Sequence, residues 1–250
     1  MMTERRCGYS RYRLNGLFHR FLLAALIINA LVFAALPVRA ESLAEDLQKS
    51  LASRVVINIP SRTLILYQWG IPVQISRVAV GRPEKPTPVG DFSVLTKQKN
   101  PTWTDPDDPT HIVPAGRYNP LGNRWIGIKS GGYGIHGTTK PSSIGHFASR
   151  GCIRMKKPDI EALFDKVQLK TPVTITYNVF QLSTENNTDL YLTLYPDHYR
   201  RARALTQQVQ AELDENYSDF VVDQAILKQI LTKGLYDKPL LIGHRETVAP

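Results

Sequence analysis

The sequence predicts a mostly β domain with one or two short helices over residues 54–180, followed by an extension over residues 181–250 with two amphipathic helices. Three observations support this division. From residue 54 onward, runs of β-branched and aromatic residues alternate with Pro and Gly, which is typical of strands joined by turns. Within this domain, residues 156–168 have one apolar face at helical spacing. Beyond residue 199, four-residue spacing of apolar residues becomes the main pattern.

Residues 1–40 have the three parts of a secretory signal peptide. Residues 1–20 hold five arginines against one glutamate, and an uncharged apolar run of 16 residues follows. Val38 and Ala40 then fit a cleavage site before Glu41. An uncleaved membrane anchor is the alternative, although the run is shorter than the ~20 residues that cross a bilayer. Both interpretations predict export across the inner membrane, and the expected location is the periplasm.

The rest of the chain is only mildly basic. The 250 residues have a formal net charge of +9, but removal of the leader takes away six arginines and one glutamate and leaves 25 basic and 21 acidic residues. This charge suits an acidic, wall-like polymer. There is no Lys/Arg stripe interleaved with aromatic residues, so no nucleic-acid partner is predicted. Residues 41–53 are predicted to be a polar linker or a short helix.

The turn residues divide the β domain into strands in chain order. RVVINIP, TLILYQW and PVQISRVAVG are separated by turns at Pro60 and Gly70, which indicates an antiparallel meander. Further candidate strands are TPVGDFSVL, RWIGIKS, YGIHG and PVTITYNVF. Residues 97–123 differ, because they hold five prolines and no periodicity. Loops of this length are usually functional or mobile, so this one is a candidate lid.

The helix of the β domain is predicted over KKPDIEALFDKVQ, residues 156–168. Pro158 suits a first helical turn, and Ile160, Leu163, Phe164 and Val167 form one apolar face.

Two further helices are predicted in the extension. Leu205, Val209 and Leu213 recur at four-residue spacing in the first. Ser218 is the predicted cap of the second, which ends at Gly234. These helices either pack on the β domain or serve a partner.

Cys152 is the one cysteine outside the leader, so it cannot form an internal disulfide. A free cysteine is most often a small buried apolar residue. The alternative is a nucleophile, which needs a nearby base and donors for an oxyanion. His136 ends a predicted strand and is the candidate base, with the Gly137 carbonyl available to orient its ring. His146 is the rival base.

The residues before the cysteine predict a tight turn. Gly151 lets the backbone turn sharply, and the N–H groups of Gly151 and Cys152 could then face one pocket. Ser149 could hydrogen-bond within the same turn.

The stretch HGTTKPSSIGHFASRGCIRM, residues 136–155, resembles the catalytic signature of the L,D-transpeptidases, the family with the YkuD-type domain. TPVGDF, NPTW, NPLGNRWIGI and GYGIHGT resemble the family's other recurring segments in the same order. The resemblance covers roughly residues 54–180 and is specific, because five separated motifs agree. It implies a β-sandwich-like fold, the nucleophile Cys152 and the base His136, with Gly137 orienting that base.

The resemblance also assigns supporting residues. Ser149 and Gly151 would shape the nucleophile turn, and Arg154 would brace the site or meet a substrate carboxylate. The chain departs from many members at Arg150, where they have a histidine that is not the general base. This difference concerns substrate preference more than catalysis.

The implied reaction begins with attack of Cys152 on the carbonyl of the third residue, commonly meso-diaminopimelate, of a peptidoglycan tetrapeptide stem. Terminal D-alanine leaves and a thioester remains. The thioester passes to an amine of a second stem, giving a 3→3 cross-link, to a lysine of an envelope lipoprotein, or to water. The resemblance implies neither a metal nor an organic cofactor, and it implies that carbapenems acylate the thiol.

Residues of the Pro-rich loop complete the predicted site. Trp103 and Tyr118 are candidates to contact the stem. The acidic residues of 105–108 and His111 are too loosely spaced for a predicted metal site. Three alternatives remain open: a cysteine amidase or carboxypeptidase that uses water, a non-catalytic wall-binding protein, and a structural protein that acts through its C-terminal helices.

Overall fold

The structure, a computed structural model, describes residues 53–234 and 236–246. The predicted signal peptide and most of the predicted linker lie outside these residues. The three α-helices of the described residues are α1 Lys157–Lys166, α2 Leu205–Asn216 and α3 Gln224–Lys233, and a 3-10 turn spans Pro141–Ser143. In chain order, the strands of the described residues are β1 Arg54–Asn58, β2 Thr63–Gln68, β3 Ile71–Arg77, β4 Val80–Gly81, β5 Gly90–Ser93, β6 Thr96–Lys99, β7 Trp103–Thr104, β8 Ile112–Val113, β9 Arg124–Lys129, β10 Tyr133–His136, β11 Phe147–Ser149, β12 Ile153–Arg154, β13 Pro172–Thr176, β14 Phe180–Glu185, β15 Asp189–Leu194, β16 Phe220–Val222 and β17 Pro239–Arg245.

Two sheets enclose the core of the β domain. One has the strand order β3-β2-β1-β13-β5, and the other has the order β12-β10-β9-β6. The antiparallel pairing of β1 with β2 and of β2 with β3 confirms the predicted meander. Both sheets are mixed, because β1 pairs with β13 and β10 with β12 in parallel. This arrangement confirms the predicted mostly β, sandwich-like fold.

The core follows from strand alternation. Every second residue of β1 and β2 is buried, so that Val55, Ile57, Leu64 and Leu66 share one apolar cluster with Ile126 and other residues of the second sheet. Helix α1 adds its predicted apolar face to this cluster through Ile160, Leu163 and Phe164, with Val167 just beyond its end.

The extension contains a sheet that the sequence analysis did not predict. Its antiparallel order is β14-β15-β17-β16, and its apolar face packs with α2 and α3 in a second cluster built from Leu192, Val209, Leu227 and similar residues. The residues of the first cluster lie between 55 and 175 and those of the second between 190 and 242. The predicted boundary at residue 180 falls between these two ranges.

Helix α3 begins later than predicted. Residues 220–222 form β16, and the Asp223 carboxylate caps the helix by accepting from the N–H groups of Ala225 (2.9 Å) and Ile226 (3.0 Å). Ser218 is therefore not the cap. Gly234 ends the helix with a φ of 61°, as the sequence predicts. Within the described ranges, no helix has the length and apolarity needed to cross a membrane.

Candidate functional site

A cavity of about 570 Å³ opens beside the second sheet of the β domain. Its lining includes five of the predicted site residues, namely Trp103, His136, Ser149, Cys152 and Arg154. Gly137 and Gly151 are not among the lining residues, but each is next in sequence to a residue that is. The structure therefore brings together in one concave site most of the residues that the sequence singles out.

The parallel pairing of β10 and β12 brings the candidate nucleophile Cys152 close to the candidate base His136. His136 ends β10 and lies opposite Arg154, while Ile135 lies opposite Ile153. Cys152 comes directly before β12, so it lies at the edge of the sheet that carries His136. The Met155 N–H donates to the His136 carbonyl at 2.9 Å and fixes this register.

The imidazole of His136 is held in one orientation. Its side chain is buried, and Nδ1 lies 2.6 Å from the Gly137 carbonyl oxygen. Because a carbonyl only accepts, Nδ1 carries the proton and Nε2 is left as the basic nitrogen. The Trp125 ring stacks on the imidazole with centroids 5.8 Å apart and planes inclined by 27°.

Burial keeps this imidazole neutral. Desolvation lowers the pKa of His136 to about 4; the hydrogen bond to Gly137 opposes this shift, and the charge of Arg154 adds to it. At neutral pH, His136 is therefore free to accept a proton.

Gly137 is required by close packing as well as by its carbonyl. A Cβ on Gly137 would lie 3.1 Å from the Leu121 carbonyl oxygen and 3.3 Å from the Gly122 Cα. A larger residue would push this segment, and the carbonyl that holds His136, away from its position.

The Cys152 thiol is half-buried, with Sγ 3.3 Å from the Gly132 carbonyl oxygen. Burial raises the pKa of the Cys152 thiol, while a hydrogen bond with the Gly134 backbone and the charge of Arg154 act in the opposite direction. The resting cysteine is therefore a thiol at neutral pH and needs a base to become a nucleophile.

The turn before the cysteine is closed by Ser149. Its hydroxyl donates to the Cys152 carbonyl and accepts from the Gly151 N–H at 3.1 Å. The Gly151 N–H is thus used inside the turn, so it does not serve as the predicted oxyanion donor. Gly151 has a φ of 109°, and a Cβ there would lie 2.8 Å from Cε1 of Tyr133. Its role is to permit the turn.

Thr87 is a supporting residue that the sequence analysis missed. It is fully buried, and its hydroxyl donates to the Gly151 carbonyl at 2.9 Å and accepts from the Gly81 N–H at 2.8 Å. The available signal was its position between Pro86 and Pro88, where a hydroxyl can replace the missing backbone donors.

Arg154 supplies a positive charge to the cavity. Desolvation lowers the pKa of its guanidinium, although the neighbouring Cys152 raises it. Among the residues that the structure describes, none of the ion pairs involves Arg154. This guanidinium is therefore available to a carboxylate from outside the chain.

The Pro-rich loop is more ordered than its sequence suggests, because β7 and β8 lie within it and β6 overlaps its start. The Asn119 side chain fixes its path: its amide donates to the carbonyls of Pro101 (2.8 Å), Val113 (3.1 Å) and Pro114 (3.2 Å). The next residue toward the N-terminus, Tyr118, is 73% exposed and is not among the residues that line the cavity, so its contact with the stem stays a prediction.

The acidic part of this loop binds the nucleophile turn. Asp105 and Asp107 accept from the Arg150 guanidinium at 3.2 and 2.7 Å. Among the described residues, no group of three His, Cys, Asp or Glu side chains is arranged to hold a metal ion. His146 is exposed and is not among the residues that line the cavity, so the geometry favours His136 as the base.

Comparison with known proteins gives one consistent result. Residues 52–175 match the L,D-transpeptidase catalytic domain, YkuD. YqjB of Bacillus subtilis, which is named as an L,D-transpeptidase, is 41% identical over 104 residues, or 40% of this chain and 57% of YqjB. YkuD of Bacillus licheniformis, named in the same way, is 37% identical over 49% of this chain and 65% of its own length.

The similarity extends to Gram-negative proteins. YcfS of Escherichia coli, also named as an L,D-transpeptidase, is 33% identical over 53% of this chain and 47% of its own length. The chain thus spans between 47% and 65% of the length of these three relatives. A solved L,D-transpeptidase from Mycobacterium tuberculosis is similar over 50% of this chain and 57% of that protein, at 24% identity and a TM-score of 0.43.

The matched range contains Cys152, His136 and Arg154, which meet in the cavity. Residues 52–175 of this chain belong to the L,D-transpeptidase (YkuD) catalytic-domain family.

Proposed function

We propose that the protein is a periplasmic L,D-transpeptidase that acts on peptidoglycan tetrapeptide stems through a thioester on Cys152. The observation that carries this proposal is that the Cys152 thiol and the buried imidazole of His136 line one cavity. Burial shifts the pKa of each group in the direction that favours its neutral form. In this state, the imidazole can take the thiol proton when a substrate carbonyl binds, and the sulfur can then accept the acyl group. This chemistry is that of acyl transfer through a cysteine.

In the first half-reaction, the Cys152 thiol proton passes to Nε2 of His136 while sulfur bonds to the carbonyl carbon of the third stem residue. The imidazolium then gives this proton to the amine of D-alanine as the C–N bond breaks. D-Alanine leaves and the thioester remains. Burial makes the His136 imidazolium a stronger acid than an ordinary imidazolium, so proton delivery to the leaving amine is favourable.

In the second half-reaction, an acceptor amine loses a proton to His136 and attacks the thioester. Sulfur leaves with that proton, and the resting thiol returns. The acceptor is a diaminopimelate amine of a second stem or a lysine of an envelope lipoprotein, and water gives the carboxypeptidase product.

The negative charge that develops during attack needs donors and cations. The Cys152 N–H is the candidate oxyanion donor from the turn, because the Gly151 N–H is bound to Ser149. Arg154 stabilises the forming thiolate by its charge.

The charge of the cavity also suits the substrate. Arg82, Lys140, Arg150 and Arg154 line it, and Arg154 has no carboxylate partner among the described side chains. A stem peptide carries the free carboxylates of diaminopimelate and of terminal D-alanine, either of which can bind Arg154. Trp103 adds an apolar wall.

Product analysis tests this proposal. The purified protein is incubated with a disaccharide tetrapeptide, alone and with excess acceptor stem or a lysine peptide, beside a Cys152→Ala variant. We expect release of D-alanine and a 3→3 dimer or a lysine adduct from the wild type. If D-alanine and tripeptide were the only products in every mixture, the protein would be a carboxypeptidase and the proposed transpeptidation would be wrong. Cell fractionation tests the periplasmic location.

A further inference from the structure

We propose that Tyr199, in the loop between β15 and α2, is a positioning residue for the nucleophile: its hydroxyl holds the turn that presents Cys152. This inference rests on the proposed function, since it concerns the geometry of acylation. Tyr199 lies beyond the matched range 52–175, so the inference makes residues outside the catalytic-domain match part of the working site.

The connection runs through two short steps. The Tyr199 hydroxyl donates to the Gly81 carbonyl and accepts from the Thr87 N–H at 3.2 Å. The Thr87 hydroxyl then donates to the Gly151 carbonyl at 2.9 Å, and Gly151 directly precedes Cys152.

A second contact ties the same segments together. The Arg82 N–H donates to the Ser149 carbonyl at 3.1 Å. Arg82 directly follows Gly81, whose carbonyl accepts from the Tyr199 hydroxyl. The turn from Ser149 to Cys152 is thus hydrogen-bonded to residues 81–87 at two points, Ser149 and Gly151. The Tyr199 hydroxyl binds both ends of that segment, Gly81 and Thr87.

Tyr199 is itself held firmly. Its ring stacks on Tyr177 with centroids 5.3 Å apart, and it meets Phe147 edge-on at 5.7 Å. The Tyr177 hydroxyl accepts from the Tyr199 N–H at 2.8 Å and donates to the Asp197 carboxylate at 2.7 Å. A hydroxyl on so constrained a ring can fix the position of the groups that it binds.

Two properties of the nucleophile depend on this turn. Attack requires the sulfur in one position against the carbonyl, and small displacements are costly. The half-burial of Cys152, which raises the pKa of its thiol, also requires a closed turn. A looser turn should therefore slow acylation and, at the same time, expose the thiol to solvent.

The test compares Tyr199→Phe with Tyr195→Phe in the full chain. Tyr195 is four residues away and its hydroxyl also makes a side-chain hydrogen bond, to Gln181 at 2.8 Å, but not to the nucleophile turn. For Tyr199→Phe we expect the rate constant of acylation by the tetrapeptide stem to fall about 3- to 10-fold with KM unchanged, the effect of one or two lost hydrogen bonds. We expect Tyr195→Phe to stay within about twofold of the wild type.

Alkylation of Cys152 by iodoacetamide as a function of pH supplies a readout that needs no stem peptide. We expect the apparent thiol pKa of Tyr199→Phe to fall toward its ordinary value while acylation slows. Thr87→Val should reproduce both changes, and Thr87→Ser should restore the wild-type values. Equal effects of Tyr199→Phe and Tyr195→Phe, or slower acylation with an unmoved alkylation profile, would overturn the inference. If the wild type forms no acyl-enzyme, the proposed function fails, and the alkylation profiles alone then decide the role of Tyr199.

Discussion

The proposed catalytic pair, Cys152 and His136, differs at the scale of single residues from a thiolate–imidazolium ion pair. Burial raises the pKa of the Cys152 thiol and lowers the pKa of His136 to about 4, so each shift favours the neutral form. The resting site is therefore uncharged at these two groups, and Arg154 is the nearby cation. In the proposed mechanism, charge separation occurs only when the substrate is attacked.

This state predicts the pH dependence of acylation. His136 must be unprotonated to accept the thiol proton, and its lowered pKa keeps it so down to about pH 4. We expect kcat/KM for acylation to be level from about pH 5 through neutrality and to fall with a midpoint near pH 4. Stopped-flow or quenched acylation across pH measures this profile. An acid limb centred between pH 6 and 7 would instead indicate that the base is a solvated histidine.

Substitution of the two histidines separates the base from its rival. We expect His136→Ala to slow acylation by roughly 10²–10⁴-fold, since the proton acceptor is lost. His146 is exposed and outside the cavity lining, so His146→Ala should acylate at the wild-type rate. Single-turnover acylation of both variants, with circular dichroism as the folding control, gives the comparison. The reverse order of effects would reassign the base.

The start of α3 is the clearest test at the scale of secondary-structure elements. Asp223 accepts two backbone hydrogen bonds there, whereas Ser218 is exposed and precedes β16. We expect Asp223→Ala to lower the free energy of unfolding by about 1 kcal/mol and Ser218→Ala to change it by less than about 0.5 kcal/mol. Urea denaturation of both variants measures the difference. An equal or larger loss in Ser218→Ala would contradict the observed helix start.

Local patterns explain which elements were predictable. Helix α1 has a Pro in its first turn and an apolar face, and the meander has clear turns, so both follow from short-range chemistry. Strand β16 has three residues next to a helical pattern, and its pairing with β17 lies about twenty residues away in sequence. A contact of this range leaves no local signature in the sequence. The predicted helix therefore wrongly included the residues of β16.

The same limit applies within the site. Cys152, His136 and Gly137 carry recognisable motif chemistry. The hydrogen-bond partner of the Gly151 N–H depends on the Ser149 hydroxyl rotamer. The position of Tyr118 depends on the carbonyls to which the neighbouring Asn119 amide donates. These choices are made by three-dimensional packing.

The two apolar cores of the molecule are linked by a partly buried ion pair. Arg62, in the turn before β2, binds Asp237, which precedes β17, and the Arg62 side chain is 6% exposed. Because removal of Asp237 leaves a buried charge without its partner, we expect Asp237→Ala to lower the free energy of unfolding by about 1–3 kcal/mol.

A matched control for that link is the exposed pair of Asp219 and Arg245, at 2.7 Å. We expect Asp219→Ala to cost less than about 1 kcal/mol, because solvent screens exposed pairs. Chemical denaturation of the two variants measures both values. If Asp237→Ala lowered the free energy of unfolding by no more than Asp219→Ala, the Arg62–Asp237 ion pair would not have the stabilising role expected here.

Intact-mass spectrometry after a rapid acid quench tests most directly whether Cys152 carries the acyl group. The purified protein is mixed with a disaccharide tetrapeptide and stopped at short times, beside Cys152→Ala. We predict a mass increase on the wild type equal to the mass of the stem without its D-alanine, and no increase on Cys152→Ala. No adduct and no released D-alanine from a folded wild-type protein, or the same adduct on Cys152→Ala, would contradict it.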